Sequence, residues 1–544
     1  MAHHIPKAPG YYSMLKDGAR YFQGLEESVV RNIHACKALG KTVSTSFGPM
    51  GMNKMVINHI EKKFVTKDAA TILRELEVAH PAAKIMVLAA QQQEQECGEG
   101  TNYVILLITS LLEKAEELIE MGLSIVNITE GYEVAAKFCL KQLKGMVLEN
   151  IDVFNKEKIG QVLHCTIQSK IQDDDQYLSK LVADGCVSIM REKKEFDTDN
   201  MRIVKILGGG VINSQLVKGM VFCRDTQGIV KEAINAKVVI YSCPFDIVQT
   251  ETKGTILINT AAELTAFSNE EEEDIELKIK ELVKYGIKVV ISGGKVGDLV
   301  LHYANKYKLL VLKINSKFDL RRLSSVTGAT IMSNLIVPCA HEIGHIDRVY
   351  TDELGKRVVV IFEQKGLKGN IASIVVRGSM DGLLDEAERA VEDAINTYKC
   401  LTKENAILAG GGATEIQLSQ KLTEEANKCS DLKQYAIRQF GSSFDLVVKA
   451  LIQNTGMKAI DAVTELHQRH NQGQKFDGLV CGEEAAKLGN VIEANIFDLY
   501  SVRHWGIKFA ADAAISILKV DQVIMARPAG GVAKPKQPGA PNEE

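Results

Sequence analysis

Between residues 236 and 314 the chain reads as strand and helix in alternation, and on both sides of that stretch it reads as long helices. Ala236–Ser242 is apolar and β-branched enough for a strand. Ile287–Ser292, Val296–Tyr307 and Leu309–Ile314 then follow as strand, helix and strand. Two strands joined by a helical crossover must run parallel, so this stretch predicts a parallel sheet. The flanks differ. Glu26–Leu39, Pro81–Glu96 and Tyr103–Met121 repeat apolar residues at helical spacing, with a short strand pair at Lys54–Asn58 and Lys63–Thr66. From about residue 380 the helical pattern returns over Asp381–Leu401, Thr414–Lys428 and Ile507–Ile517. The pattern therefore predicts an α/β domain set inside a mainly helical one that is split in sequence. At 544 residues the chain has room for roughly three or four domains. The end, from Ala526, holds four of the ten prolines and reads as a flexible tail. The acidic run Glu270–Asp274 reads as a solvated helix start.

Composition narrows the function classes. Lys and Arg number 65 against 69 Asp and Glu, a net charge of −4, which argues against a nucleic-acid partner. The longest apolar run, Tyr103–Leu112, is far short of the ~18–20 residues that span a bilayer, so no membrane is expected. The first residues lack the apolar core of a secretory signal. The eleven cysteines are odd in number, scattered and without a C-x-x-C. That distribution predicts reduced thiols and a cytoplasmic location.

Three glycine turns stand close before helical or strand segments: Gly48-Pro-Met-Gly51, Gly98-Glu-Gly-Thr-Asn102 and Gly410-Gly-Gly-Ala-Thr414. Singly, each reads as a helix cap or tight turn. Together they suggest a phosphate site, because glycine lets backbone N–H groups approach an anion and a helix N-terminus adds partial positive charge. None fits the Walker A pattern. Glu99 supplies an oxygen ligand suited to Mg²⁺, and Thr101 a hydroxyl. Asp68 reads by itself as an N-cap, and Asp393 as a surface charge on a carboxylate-rich helix. Phosphoryl transfer to water would need such carboxylates, to deprotonate the nucleophile and to ligate Mg²⁺. His341-Glu-Ile-Gly-His345 fits H-E-x-x-H, in which two histidines on one helix face hold zinc. Pro338 before it and Gly344 inside it argue against that helix, so a zinc protease stays a remote alternative. Gly293-Gly-Lys-Val-Gly297 does not fit the dinucleotide pattern G-x-G-x-x-G.

Gly48–Met55, Asp68–Leu73, His80–Lys84, Gly98–Thr101 and Gly410–Glu415 occur in the order seen in group II chaperonins, and the resemblance covers residues ~5 to 531. Tyr241–Asp246, Thr250–Thr255, Leu301–Tyr307 and Val520–Gly531 further resemble one subunit type of the eukaryotic cytosolic chaperonin. The resemblance implies a multi-domain fold with a split, mainly α equatorial domain (1–147 and 405–526). It implies a split, small α/β intermediate domain (148–215 and 368–404), an inserted α/β apical domain (216–367) and a flexible tail (527–544). The apical domain would carry a helical protrusion near Thr250–Asp274, serving as a built-in lid. It implies paralogous subunits in a hetero-oligomeric double ring, with non-native clients such as actin and tubulin enclosed when ATP is hydrolysed. By the same resemblance, Asp68 and Asp393 are the catalytic carboxylates, Glu99 ligates Mg²⁺, and ATP or ADP meets Phe47, Gly48, Pro49, Gly51, Gly100, Thr101, Asn102, Tyr103, Ser169, Lys170, Gly411, Gly412 and Asp498. This chain departs from the family pattern at Glu99, where the usual ligand is Asp, at Lys67 beside Asp68, and at Asn102, where a Thr is usual. Those departures set up an alternative: a ring subunit that holds nucleotide with little or no turnover.

Overall fold

The computed structural model describes residues 20–22, 25–171, 174–190, 196–246, 260–366, 371–482, 486–521 and 523–525, with backbone alone at 20–22, 25–27, 261–271 and 523–525. Helices from both ends of the chain share one core. Leu25–Ser44, Pro81–Cys97, Thr101–Glu120 and Ile125–Lys144 come from the first part, and Ala413–Ala426, Lys433–Asn454 and Tyr500–Leu518 from the last. The Thr101–Glu120 helix lies at the centre. Val104, Ile105, Leu107, Ile108, Leu111 and Leu112 leave it no solvent face along those turns, as expected of a helix that is apolar nearly all round. The two parts lock through aromatics. Tyr132 meets Phe440 edge-on at 5.4 Å, Phe440 meets Phe444 at 5.8 Å, and the Tyr132 hydroxyl donates to the Leu111 carbonyl at 2.9 Å.

The middle of the chain forms a nine-stranded mixed sheet. At one end Met201–Leu207 runs parallel to Ala372–Gly378, so that strands far apart in sequence lie side by side. At the other end Glu232–Tyr241, Ile287–Ser292 and Leu310–Lys313 run parallel, as the βαβ pattern requires. Gln215–Phe222, Arg357–Glu363 and Gly344–Leu354 bridge them with antiparallel pairs. Separate cores lie along the sheet. The helices Lys156–Gln168, Asp175–Ile189 and Asp381–Lys403 cover the first end around Leu163, Val182, Val391 and Tyr398. The Ala261–Lys284 and Asp298–Lys306 helices cover the second around Tyr241, Ile279, Val290 and Val300. The short strand pair forms as expected, Lys54–Ile57 against Lys63–Thr66.

One expectation is corrected, and the doubt about a helix at H-E-x-x-H is borne out. The acidic run Glu270–Asp274 lies in the middle of the Ala261–Lys284 helix rather than at its start, and Asp274 pairs with Lys278 one turn on at 2.6 Å. Such an i,i+4 pair makes the charges compatible with a helix interior. The H-E-x-x-H residues form no helix. His341 sits in a turn, and His345 lies in the Gly344–Leu354 strand with its Nε2 2.6 Å from Asn235 Oδ1. Residues 250–259 of the 250–274 stretch expected to form a protrusion, and the tail from 526 onward, lie outside the described residues, while 261–274 belong to the Ala261–Lys284 helix. No helix among the described residues is long and apolar enough to cross a membrane.

Phe440 is fully buried between the two parts of the helical core. Phe440→Ala should cost about 3–5 kcal/mol through lost transfer energy and the cavity left behind. Ile229→Ala, at a side chain 79% exposed, should stay within about 0.5 kcal/mol. The midpoints of urea unfolding compare the two.

Candidate functional site

A cavity of about 220 Å³ opens where the helical core meets the first end of the sheet, and the glycine turns line it. Gly100 is the N-cap of the Thr101–Glu120 helix at φ 84°, and a Cβ there would come within 2.7 Å of Val502. Gly412 caps the Ala413–Ala426 helix at φ 84°. Both positions are left-handed, which favours glycine. Two helix N-termini, with their unpaired N–H groups and partial positive charge, therefore end at the cavity wall. Phe47, Gly48, Pro49 and Gly411 complete the rim. Asn454 anchors the loop before them by donating to the carbonyls of Ser44 and Phe47, both at 2.8 Å. Gly51 is a correction: it does not line the cavity. Its N–H closes the turn onto Gly48 O at 3.1 Å, and a Cβ there would meet the Ser46 carbonyl at 2.5 Å.

Three carboxylates and a lysine from four separate segments converge here. Asp68 does cap the Ala69–Glu75 helix, its Oδ2 accepting from Thr71 N at 3.0 Å and Thr71 Oγ1 at 2.8 Å. Its Oδ1 accepts from Thr101 Oγ1 at 3.3 Å, so the cap and the cavity use different oxygens. Asp393 projects from the Asp381–Lys403 helix and pairs with Lys170, which follows the Lys156–Gln168 helix. Burial pushes the Asp393 carboxyl up to about 7, with the charges of Asp68 and Glu99 adding to it and Lys170 opposing. Burial works against the Lys170 ammonium, but Asp393 and Asp68 outweigh it and hold its pKa above the usual lysine range. Burial also opposes the charge of Asp68, and Lys170 with the Thr71 and Thr101 hydrogen bonds reverses that, leaving it below the usual carboxylate range. Glu99 is pushed up by burial, against hydrogen bonds from Thr397 and Thr166.

The departures from the expected pattern have local explanations. Lys67 lines the cavity but turns its Nζ to the Pro49 carbonyl at 3.2 Å. Asn102 lines the cavity too, yet its side chain is committed elsewhere. Its Oδ1 accepts from Ala69 N at 2.8 Å and its Nδ2 donates to Lys67 O at 3.1 Å, which bolts the turn carrying Asp68 to the Thr101–Glu120 helix. Ser169 Oγ donates back to Thr166 O at 2.6 Å.

Sequence reasoning missed Arg503. Its guanidinium lies 4.2 Å from the Tyr103 ring centroid, donates to Asp498 Oδ2 at 3.1 and 2.5 Å, and pairs with Glu415 Oε1 at 3.1 Å. The Asp498–Arg503 spacing carries no sequence signal. For Thr397, also missed, the signal was present: it lies one helical turn beyond Asp393 and so on the same face.

The residues present fit a nucleotide with Mg²⁺. The donors are all oxygen, as a hard cation requires. Among the described residues no three acidic, histidine or cysteine side chains form a cage for an ion. Mg²⁺ bound together with phosphates needs only one or two carboxylates, and Glu99 and Asp68 flank the Gly100 helix terminus. Arg503→Met should strand Glu415 (3% exposed) as an uncompensated buried charge, costing ~3–5 kcal/mol near neutral pH. The loss should shrink as pH falls, since a protonated Glu415 needs no cationic partner. Thermal melts of the two chains across pH test this.

The model of the TCP-1/cpn60 chaperonin family matches residues 39–528. The chain is 48% identical over 539 residues to the T-complex protein 1 subunit theta of Gallus gallus, covering 99% of this chain and 98% of that one. It is 48% identical over 544 residues to the protein of that name from Homo sapiens, with the same coverage, and 44% identical over 546 residues to that from Caenorhabditis elegans (100% and 99%). With a family match across most of its length and full-length relatives at this identity, the chain belongs to the TCP-1/cpn60 chaperonin family.

Proposed function

We propose that the chain is an ATP-hydrolysing subunit of a hetero-oligomeric double-ring chaperonin of the cytoplasm, in which non-native proteins are enclosed as nucleotide turns over. The observation that carries this reading is the convergence of Asp68, Glu99, Asp393 and Lys170 on one cavity bounded by two helix N-termini. The subunit names of the relatives support the assembly. In this reading residues 1–147 and 405–526 form the nucleotide-binding equatorial domain, and 148–215 with 368–404 form the intermediate domain that contributes Lys170 and Asp393. Residues 216–367 form the apical domain that meets clients.

The N–H groups at Gly100–Thr101 and Gly412 would bind the phosphates, with the Thr101 hydroxyl and the Lys170 ammonium adding donors. Mg²⁺, held by Glu99 and the phosphates, would neutralise charge developing on the transferred group. Asp393 would take the proton from the attacking water. A carboxyl with a pKa near the working pH suits a general base, because it is partly ionised yet basic enough to accept. Lys170 links Asp393 to Asp68, so a shift of either helix reaches both carboxylates.

The alternative, nucleotide held without turnover, is favoured by the extra methylene of Glu99. Lys67 gives it little weight, since its ammonium is engaged by Pro49. Single-turnover phosphate release by the purified chain separates the two readings. Asp393→Asn should slow release by about 10²–10⁴-fold while ADP affinity holds. Release by the native chain should rise as pH passes upward through about 7, where Asp393 loses its proton, and the variant should lack that limb. Release equal in both chains would leave a subunit that binds without hydrolysing.

A further inference from the structure

Glu99 is gripped at both ends. Its carbonyl accepts from Nε2 of the fully buried Gln93 at 3.0 Å, which holds the main chain. Its carboxylate Oε2 accepts from Thr397 Oγ1 at 2.8 Å and from Thr166 Oγ1 at 3.3 Å. The two hydroxyls lie 3.4 Å apart. Each has a single proton, so when both serve Glu99 neither is left for the other. Thr397 is fully buried and Thr166 is 5% exposed, so water does not compete for these donors. Both hydroxyls meet the same oxygen, and among the described residues Oε1 accepts no side-chain hydrogen bond.

A glutamate has one more rotatable bond than an aspartate, while Mg²⁺ demands near-ideal octahedral geometry at about 2.0–2.1 Å. A free glutamate would sample orientations that miss that geometry. We propose that Thr397, assisted by Thr166, is a positioning residue that fixes the longer Glu99 side chain, occupying Oε2 and leaving Oε1 to a nucleotide-bound divalent cation. The same two donors tie the ligand to the segments that carry the Lys170–Asp393 pair. Thr397 stands one turn beyond Asp393 on its helix, and Thr166 one turn before Lys170. Repositioning of Glu99 therefore pulls on both segments that hold the Lys170–Asp393 pair, so cation occupancy and the geometry of the base are coupled. Hydroxyl donors to a metal-ligating carboxylate are outer-shell partners, whose loss typically costs 10–100-fold in metal affinity.

This inference rests on the nucleotide reading above, and its test separates the two. ADP is titrated calorimetrically into the purified full chain in EDTA and at a series of MgCl₂ concentrations, for the native chain, Thr397→Val, Thr397→Ser and Thr166→Val. The valine at 397 should need roughly 10-fold more Mg²⁺ for half of its effect on ADP affinity. The serine, which keeps the hydroxyl, should stay near native, and affinity in EDTA should be unchanged in both. Native Mg²⁺ dependence in Thr397→Val overturns the clamp. So does an equal loss with and without Mg²⁺, which would mark a packing role. If Thr397→Val fails to fold, Thr166→Val makes the same comparison, and native Mg²⁺ dependence there overturns the clamp. A native chain that binds no ADP under either condition overturns the nucleotide reading itself, and the clamp with it.

Discussion

Lys170 is a buried cation, and a buried cation must be paired. Left alone in a low-dielectric interior, an ammonium would cost several kcal/mol or lose its proton. Asp393 meets it directly and Asp68 adds its field, so three segments remote in sequence are brought to one point. The Lys156–Gln168 and Asp381–Lys403 helices share an apolar core around Leu163 and Val391, which sets the backbone positions that make the pairing possible. The strand–helix turn bearing Asp68 belongs to a different unit, held by Asn102 on the central helix. The charge cluster thus spans a seam between two cores, and its geometry depends on how those cores sit together.

That arrangement divides labour in a way the packing explains. The glycine-turn backbone that lines the cavity comes from the helical core, where the Thr101–Glu120 helix is immobilised by apolar contacts on nearly every face. The groups suited to act on a nucleophile come from the neighbouring unit. Asp68 and Glu99 stand on the helical side of the cavity and Lys170 with Asp393 on the other, so the cluster is complete only where the two cores meet. Arg503 serves the first side. It offsets the charges of Glu415 and Asp498, donates hydrogen bonds to Asp498 and covers the face of Tyr103, so one guanidinium meets three side chains beside the cavity.

Some of the site was legible in the residues and some was not. The glycine turns were visible, because left-handed caps before helices leave a composition signature that survives without tertiary information. Asp68 was readable only as a cap, since nothing local says that its second oxygen faces a cavity. Asp393 had the pattern of a surface charge; its burial depends on the Lys156–Gln168 segment, more than 200 residues earlier. Asn102, expected to meet nucleotide, lines the cavity while its side chain secures backbone, because an amide can donate and accept where a threonine hydroxyl cannot span both groups. Gly51 was expected in the phosphate loop and is spent on closing its turn.

The chain's own pattern determined that helices flank a parallel βαβ unit, where the tight turns fall, and which carboxylates lie near them. Periodicity and turn chemistry are local, set by 3.6- and 2-residue repeats and by allowed φ. Only the tertiary structure decided which carboxylates meet, that Lys170 stands between two of them, that Lys67 faces away from them, and that two threonines grip Glu99. Those outcomes turn on ångström-scale distances between segments joined by long loops and separate cores. Coulomb energy and hydrogen bonding act across that space without reference to sequence separation.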